Sequence, residues 1–283
     1  MHAIAMNIST NVTRNKVNAQ ITAKRSLLCV GLDSDPAKIP DIFGRMDRPV
    51  LAFNRSVIRA TANHAVAYKI NTAFYEARGI EGISDMQNTL ASLPPECLSI
   101  ADAKRADIGN TSRMYAKAFF EHWAFDAITA APYMGTDSLE PFFDYDNKLI
   151  FVLCLTSNPG SADFEEQQLS SGGTLYDAVL EKVQEWNRNN NAGIVVGATK
   201  SALLGEIRKK APGLFFLIPG VGAQGGSLRD SSLSGLDDNK ESALINVSRG
   251  VIYPQGDFES PEAFEHAVRI QAAALHEEMQ TAF

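Results

Sequence analysis

Eight short apolar runs, spread along most of the chain, are the feature that most constrains its fold. They are Leu27–Leu32, Ala65–Ile70, Leu98–Ala103, Ala127–Ala131, Leu149–Leu155, Gly193–Gly197, Leu214–Ile218 and Ala243–Val247. Each run is shorter than a typical helix, and most lack the polar alternation of a strand with one face in water. The pattern is typical of parallel strands that are buried on both faces.

Longer segments with helical periodicity separate these runs. They are Asn54–Asn63, Tyr75–Leu93, Ile108–Trp123, Thr174–Asn187, Lys200–Lys210 and Pro261–Gln280. Strands that alternate with helices in this way predict an α/β fold, a (β/α)8 TIM barrel, with a doubly wound parallel sheet as the alternative. We expect one barrel domain over residues 1–283, in which residues 1–26 form a partly helical N-terminal extension. The polar segment Ser227–Glu241 is expected to be a mobile lid or a plain surface loop.

Charge and composition exclude several classes of protein. The formal net charge of −7 argues against a nucleic-acid binder, which needs a basic face to neutralise phosphates. No apolar stretch approaches the ~18 residues of a membrane-spanning helix, and the N-terminus lacks the apolar core of a signal peptide. Cys29, Cys97 and Cys154 lie far apart and are expected to be buried, reduced thiols, which favours a cytoplasmic protein. The histidines form no zinc-binding motif, so no metal is expected.

Charged residues stand where the third apolar run should end. Asp102 and Lys104 are two residues apart, so on a strand their side chains point to the same face. That face would be the barrel interior at the C-terminal end of the strand, where enzymes of this fold carry their active sites. A buried structural ion pair is the alternative, although such pairs often contribute no net stability.

The neighbouring segments show the same anomaly. Lys69 ends the second run, Asp33 follows the first, and Asp107 begins the helix after the third. Each alone could be a solvated strand end, and Asp107 could be a helix N-terminal charge that the macrodipole favours. Lys69, Asp102, Lys104 and Asp107 together predict an alternating, charge-balanced network that keeps a lysine protonated, ready to deliver a proton to a developing carbanion.

Glycine-rich segments follow the last two runs. Pro219–Gly226 reads PGVGAQGG, and Arg249 and Gly250 follow the eighth run. In (β/α)8 barrels these loops often bind a phosphate through backbone N–H groups, and an arginine can add a bidentate contact. Tight turns with a surface arginine are the alternative. The spacing of Gly220, Gly222 and Gly225 also fits a dinucleotide motif, but it comes too late in the chain for one.

The segment D102-A-K-R-A-D-I108 resembles the DxKxxD signature of the orotidine 5′-phosphate decarboxylase family. The resemblance extends from about Leu27 to Tyr253 and includes AYKINTAFYEARG, TAAPYMG, TSNPG, GVGAQGG and NVSRG, which are similar to its longer, type 2 branch. One departure is Ala106, where this branch usually has glycine. The resemblance implies a cofactor-independent conversion of orotidine 5′-monophosphate to UMP, the last step of de novo pyrimidine nucleotide synthesis.

The resemblance also implies the roles of individual residues. Lys104 is expected to donate the proton to C6 of the pyrimidine, and Asp102 to lie beside the carboxylate that leaves. Lys69 and Asp33 would bind the ribose hydroxyls and complete the network. Further substrate contacts are expected from Ser157, Pro219, Gln224, Arg249 and Gly250, the first two at the pyrimidine and the last three at the phosphate.

Other residues implied by the resemblance concern a partner subunit. Asp107, Ile108 and Thr111 resemble residues that reach the active site of the neighbouring subunit, so a homodimer with a shared active site is expected. Three alternatives stay open. They are a magnesium-dependent enzyme acting on a sugar phosphate, a non-catalytic nucleotide-binding barrel, and a subunit that works in a complex with orotate phosphoribosyltransferase.

Overall fold

The computed structural model describes residues 11–222 and 225–283, and its centre is a closed barrel of eight parallel strands. The strands are β1 Leu28–Gly31, β2 Ala67–Asn71, β3 Leu98–Arg105, β4 Ala127–Ala130, β5 Leu149–Leu155, β6 Ala192–Val196, β7 Phe215–Pro219 and β8 Ala243–Val247. Each strand pairs with the next along the chain, and β8 pairs with β1 to close the ring. The predicted TIM barrel is therefore confirmed, and every predicted apolar run overlaps one strand.

Helices connect successive strands and surround the barrel. They are α1 Val12–Lys24, α2 Asp41–Gly44, α3 Pro49–Thr61, α4 Ala73–Glu76, α5 Gly79–Leu90, α6 Gly109–Lys117, α7 Thr136–Phe143, α8 Leu175–Trp186, α9 Ser201–Lys210, α10 Leu228–Gly235, α11 Arg249–Ile252 and α12 Pro261–Met279. A π-helical turn, Ala118–His122, continues α6, and short 3₁₀ turns lie at Pro36–Lys38, Pro159–Asp163, Ala198–Lys200 and Gln280–Ala282.

The helix α10 lies where the sequence indicated only a polar loop. Its N-cap is Ser227, whose side chain accepts a hydrogen bond from the backbone N–H of Asp230. Such caps stabilise a first turn that hydrophobic periodicity alone does not reveal. The buried residues of this helix are Leu228, Ser231, Ser232 and Gly235, so only one of them is a large apolar residue. The interpretation of the whole segment as a loop was wrong for this reason.

A glycine lets two aromatic rings meet across β6. Phe151 on β5, Gly193 on β6 and Phe215 on β7 are aligned by the strand register. A Cβ atom on Gly193 would lie 2.7 Å from the Phe151 ring. Because no side chain intervenes, the rings of Phe151 and Phe215 pack edge to face, with centroids 5.8 Å apart. This contact packs β5 and β7 against each other across β6.

The N-terminal ends of the strands are covered by α1. Thr13 donates to the carbonyl of Asn147, just before β5, and Arg14 to the carbonyl of Gly213, before β7. The three cysteines are buried with free thiols, as predicted. Within the described ranges, none of the helices is both long enough and apolar enough to cross a membrane.

Candidate active site

A cavity of about 290 Å³ opens at the C-terminal ends of the strands. All eight strands contribute to its wall, either from their last residues or from the loop that follows. The lining residues are Asp33, Lys69, Asn71, Asp102, Lys104, Thr129, Leu153, Thr156, Ser157, Asn158, Val195, Leu217, Pro219, Gly220, Val221, Asn246, Ser248, Arg249 and Gly250. The cavity therefore brings together eight of the residues that the sequence analysis selected.

Four of these residues form an alternating row of carboxylates and ammonium groups. Lys69 Nζ lies 3.4 Å from Asp33 Oδ1 and 2.8 Å from Asp102 Oδ2. The other oxygen of Asp102 accepts a hydrogen bond from Lys104 Nζ at 2.6 Å. Lys69 is 4% exposed, whereas the side chain of Lys104 is 49% exposed and borders the open cavity. One lysine is thus held inside the wall, and the other can reach a ligand.

The electrostatics of the row keep its buried members charged. Burial alone would lower the pKa of Lys69, but the carboxylates of Asp102 and Asp33 outweigh it and raise that pKa above its ordinary value. Burial would likewise raise the pKa of Asp102, but the ammonium groups of Lys69 and Lys104 hold it well below the usual range. A buried ion pair of this kind persists only where each charge has a partner.

The strand β3 bends at this point. Its register with β4 shifts between Ala101 and Arg105, and Lys104 has a φ of 50°. Positive φ is unfavourable for residues with a side chain and often marks functional sites. Despite the bulge, Asp102 and Lys104 both face the cavity, as their spacing predicted.

Ser157 enters the cavity from the loop after β5, and neighbouring groups fix that loop. The carboxylate of Glu165 accepts from the backbone N–H of Thr156 at 2.7 Å and from its hydroxyl at 2.9 Å. On the other side, a Cβ atom on Gly197 would lie 2.6 Å from the backbone nitrogen of Ser157. Real Cβ contacts are not that short, so this approach of the β5 and β6 loops requires glycine at 197.

The loops after β7 and β8 contain the residues expected to bind a phosphate. Pro219 ends β7 and Gly220 follows it, and Arg249 and Gly250 are exposed at the start of α11. Gly220 and Gly222 have φ values of 101° and 71°, which a residue with a side chain rarely adopts. Gln224 lies outside the described residues.

Asp107, Ile108 and Thr111 do not line the cavity of their own chain. The carboxylate of Asp107 accepts a hydrogen bond from the backbone N–H of Ile108 at 2.7 Å, and the side chains of Ile108 and Thr111 are exposed. The chain leaves the barrel wall after Arg105, which carries these residues away from their own cavity. Within the described part of one chain, the charged row therefore contains Asp33 but not Asp107.

Several polar residues in the cavity were not selected from the sequence. Asn71 lies two residues after Lys69 on β2, so the same alternation rule could have found it. Thr129 and Asn246 interrupt the otherwise apolar strands β4 and β8, which is a visible signal. Ser248 fits against β1 only because residue 31 is glycine, where a Cβ atom would lie 1.9 Å from the serine Oγ.

Comparison with known proteins assigns this barrel to a family. The family described as "Orotidine 5′-phosphate decarboxylase / HUMPS family" matches residues 26–260. The chain belongs to this family. The orotidine 5′-phosphate decarboxylase / HUMPS match covers every strand of the barrel and every cavity-lining residue. The resemblance noted in the sequence is thereby confirmed, as is the prediction that the chain is an enzyme of this family.

Individual members of the orotidine 5′-phosphate decarboxylase / HUMPS family agree with this assignment. The chain is 45% identical over 271 residues to the orotidine 5′-phosphate decarboxylase of Parabacteroides distasonis, covering 95% of each chain. It is 39% identical to the OMP decarboxylase of Leishmania donovani, with a TM-score of 0.77 and coverage of 94% of this chain and 99% of that one. The UMP synthase of Leishmania donovani is 40% identical, with a TM-score of 0.83. That match covers 95% of this chain and 56% of the synthase.

Proposed function

We propose that this protein decarboxylates orotidine 5′-monophosphate to UMP, the last step of de novo pyrimidine nucleotide synthesis. The observation that carries the proposal is the alternating row Asp33–Lys69–Asp102–Lys104 at the rim of the barrel. Family membership and the printed names of the relatives supply independent support. Such a row suits a reaction in which negative charge develops on carbon beside a carboxylate.

The proposed chemistry needs a proton donor at the reacting carbon. The bond between C6 and the carboxylate breaks, CO₂ leaves, and the electron pair stays on C6. The ammonium group of Lys104 then transfers a proton to C6, which gives UMP and an amine that regains its proton from water. Because no ring carbonyl delocalises this electron pair, electrostatic stabilisation and binding energy must lower the barrier, and enzymes can supply up to ~23 kcal/mol.

The two carboxylates and the second lysine keep Lys104 ready for this transfer. Asp102 would lie beside the carboxylate of the substrate and, through its contact with Lys104 Nζ, holds the ammonium in place. Lys69 compensates the charge of Asp102 from inside the wall, and Asp33 and Lys69 would bind the ribose hydroxyls. Since the pKa of Lys69 is raised and that of Asp102 lowered, both stay ionised at neutral pH.

The remaining cavity residues would hold the two ends of the nucleotide. Ser157 and Pro219 border the space for the pyrimidine. Arg249, Gly250 and Gln224 would bind the phosphate, where a guanidinium can make two parallel hydrogen bonds. Binding energy gained at the phosphate can order the site and exclude water before reaction.

The proposal includes a homodimer in which Asp107, Ile108 and Thr111 reach the partner's cavity. Support comes from Ile108, which is 60% exposed and does not line the cavity of its own chain. A cytoplasmic location, no bound nucleic acid and no membrane association complete the proposal. They rest on the acidic composition and on the chemistry of a small, diffusible nucleotide substrate.

No metal is needed in this scheme. Asp102 Oδ1 accepts from Lys104 and Thr129, and Oδ2 accepts from Lys69, so a magnesium ion would have to displace an ammonium to reach this carboxylate. Within residues 11–222 and 225–283, no group of three or more His, Cys, Asp or Glu side chains is placed to hold a metal.

The test follows the orotate chromophore of orotidine 5′-monophosphate in the presence of the purified protein, with and without EDTA. We expect rapid loss of the chromophore and formation of UMP at the same rate in both samples. Conversion that EDTA abolishes would contradict a metal-independent reaction. No conversion in either sample by a folded protein would point to the magnesium-dependent enzymes that act on sugar phosphates. A folded protein that binds UMP without converting the substrate would be a nucleotide-binding barrel instead.

A further inference from the structure

The bulge between β3 and β4 leaves three residues opposite one. Ala101 pairs with Ile128 and Arg105 pairs with Ala130, so the segment 102–104 faces Thr129 alone. A bulge of this kind disrupts the ladder and leaves backbone groups that need other partners. Lys104 lies inside the bulge with a φ of 50°, so its conformation must be maintained by contacts around it.

The hydroxyl of Thr129 supplies those contacts. It accepts a hydrogen bond from the backbone N–H of Lys104 at 3.0 Å and donates one to Asp102 Oδ1 at 3.0 Å. The same carboxylate oxygen accepts from Lys104 Nζ at 2.6 Å. The three residues thus form a closed loop that joins the backbone of Lys104, through one hydroxyl and one carboxylate, to its own ammonium group. Thr129 is 1% exposed, so water does not compete freely for these bonds.

We infer that Thr129 is the positioning residue that sets the place of the Lys104 ammonium group for proton transfer. The catalytic meaning of this inference rests on the proposed function. The hydrogen bonds of Thr129 with Lys104 and Asp102 do not depend on that function. A hydroxyl can donate one hydrogen bond while it accepts others, which a methyl group of the same size cannot do. Threonine therefore matches this position in chemistry as well as in its preference for strands.

Removal of the hydroxyl leaves the backbone N–H of Lys104 without its acceptor. The left-handed conformation is then no longer compensated, and the backbone is free to relax toward negative φ. Such a relaxation swings the lysine side chain away from its present direction. A displacement of about 1 Å in a catalytic group can lower a rate on the order of 100-fold.

Two substitutions separate the hydroxyl from the rest of the side chain. Thr129→Val keeps the shape and the strand preference but removes the hydroxyl, and Thr129→Ser keeps the hydroxyl but removes the methyl. For Thr129→Val we expect kcat to fall on the order of 100-fold with KM changed by less than about threefold, because the ammonium acts in the transition state. For Thr129→Ser we expect kcat to stay within about threefold of the wild type.

Equal losses in the two variants would overturn the inference, since they would assign the effect to packing of the methyl group. Unchanged kcat in Thr129→Val would also overturn it. If Thr129→Val does not fold, Thr129→Ala, which also lacks the hydroxyl, takes its place in the same comparison.

Crystal structures of the two variants keep this test independent of the proposed reaction. We expect φ of Lys104 to become negative in Thr129→Val and to stay positive in Thr129→Ser. An unchanged Lys104 in Thr129→Val would refute the positioning role, whatever the substrate. Absence of orotidylate turnover in the wild-type protein would instead refute the proposed function alone.

Discussion

Buried cations lie at both ends of the barrel, but their partners differ. At the C-terminal end, Lys69 contacts the carboxylates of Asp33 and Asp102 beside an open cavity. At the N-terminal end, Arg208 is 8% exposed and donates to the backbone carbonyls of Leu214 and Ser242 at 2.7 and 3.0 Å. Its guanidinium carbon also lies 3.6 Å from the centroid of the Phe216 ring.

This difference indicates what each end of the barrel does. A cation surrounded by carbonyls uses all its donors to tie together the chain segments that precede the strands, and it offers nothing to a ligand. Burial lowers the pKa of Arg208 to about 10, against the raising effect of Asp237, so the group stays charged at neutral pH. Cations paired with carboxylates at a cavity rim can instead exchange contacts with a charged substrate. We therefore expect substitutions at the N-terminal end to change stability and those at the C-terminal end to change catalysis.

The largest effect on stability is expected from Arg208→Met. The substitution leaves the carbonyls of Leu214, Gly235 and Ser242 without their buried donor, which costs about 3 kcal/mol in the free energy of unfolding. Urea denaturation measures this loss. The matched control Arg229→Met, at an exposed arginine on α10, is expected to change the free energy by less than about 0.5 kcal/mol. A large fall in kcat of the folded Arg208→Met protein would contradict the division between the two ends.

At the other end, Arg249→Ala is expected to weaken phosphate binding. Loss of a charged hydrogen bond costs about 2 kcal/mol, so KM for orotidine 5′-monophosphate should rise roughly 30-fold. The control uses orotidine, which lacks the phosphate, and for it the ratio of kcat/KM between wild type and variant should be near one. An equal loss for both substrates would remove Arg249 from the phosphate site.

A smaller effect on catalysis is expected from Gly197→Ala. The added methyl group overlaps the backbone of Ser157 and must displace the loop after β5, which we expect to raise KM about tenfold. Gly213→Ala is the matched control, because nothing lies within 4 Å of a Cβ atom there. Unchanged KM in Gly197→Ala would show that Ser157 does not contribute to binding in its present position.

The smallest effect concerns a histidine pair at the N-terminal end. His64 Nδ1 lies 3.0 Å from His276 Nδ1, and the pKa of His64 is lowered by burial and by the facing His276, Lys24 and Arg269. Because the unfolded chain then binds more protons, stability rises with pH and is lost as pH falls below the ordinary histidine pKa of about 6.5. Because solvent screens these charges, we expect the titration of His64 to change the free energy of unfolding by less than about 1 kcal/mol.

Thermal unfolding between pH 5 and 7.5 tests this dependence. The wild type should gain stability with pH over this range, and His64→Asn should gain less. His122→Asn, at an exposed histidine, should retain the slope of the wild type. The same slope in all three proteins would contradict the coupling between His64 and His276.

The two ends of the barrel also differ in how much of each could be predicted from the sequence. The charged residues at the C-terminal end interrupt apolar strands, so Asp102, Lys104 and Lys69 could be selected without a structure. The arginines at the N-terminal end lie in helices, where charged residues are common, and nothing in the pattern distinguishes buried Arg208 from exposed Arg229. Arg208 is buried by chain segments that are distant in sequence, and a local sequence pattern does not reveal such contacts.

Two features of the site itself also required the structure. The selection of Asp102 and Lys104 assumed a regular strand, whereas the bulge opposite Thr129 gives Lys104 a positive φ. The expected network contained Asp107, but the chain turns away after Arg105, and Asp33 holds the end of the row in its own subunit. Strand alternation predicts which face a residue occupies, but not how the chain leaves the barrel.

The most direct test of the account is the turnover of orotidine 5′-monophosphate by Lys104→Ala, measured beside Lys182→Ala, which removes an exposed lysine from α8. We expect Lys104→Ala to lose kcat by at least about 10⁴-fold, because it lacks both the proton donor and the cation beside the developing charge. Lys182→Ala should retain the rate of the wild type, and both variants should keep its melting temperature within a few degrees. Substantial turnover by a folded Lys104→Ala protein would contradict the assignment of catalysis to the charged row.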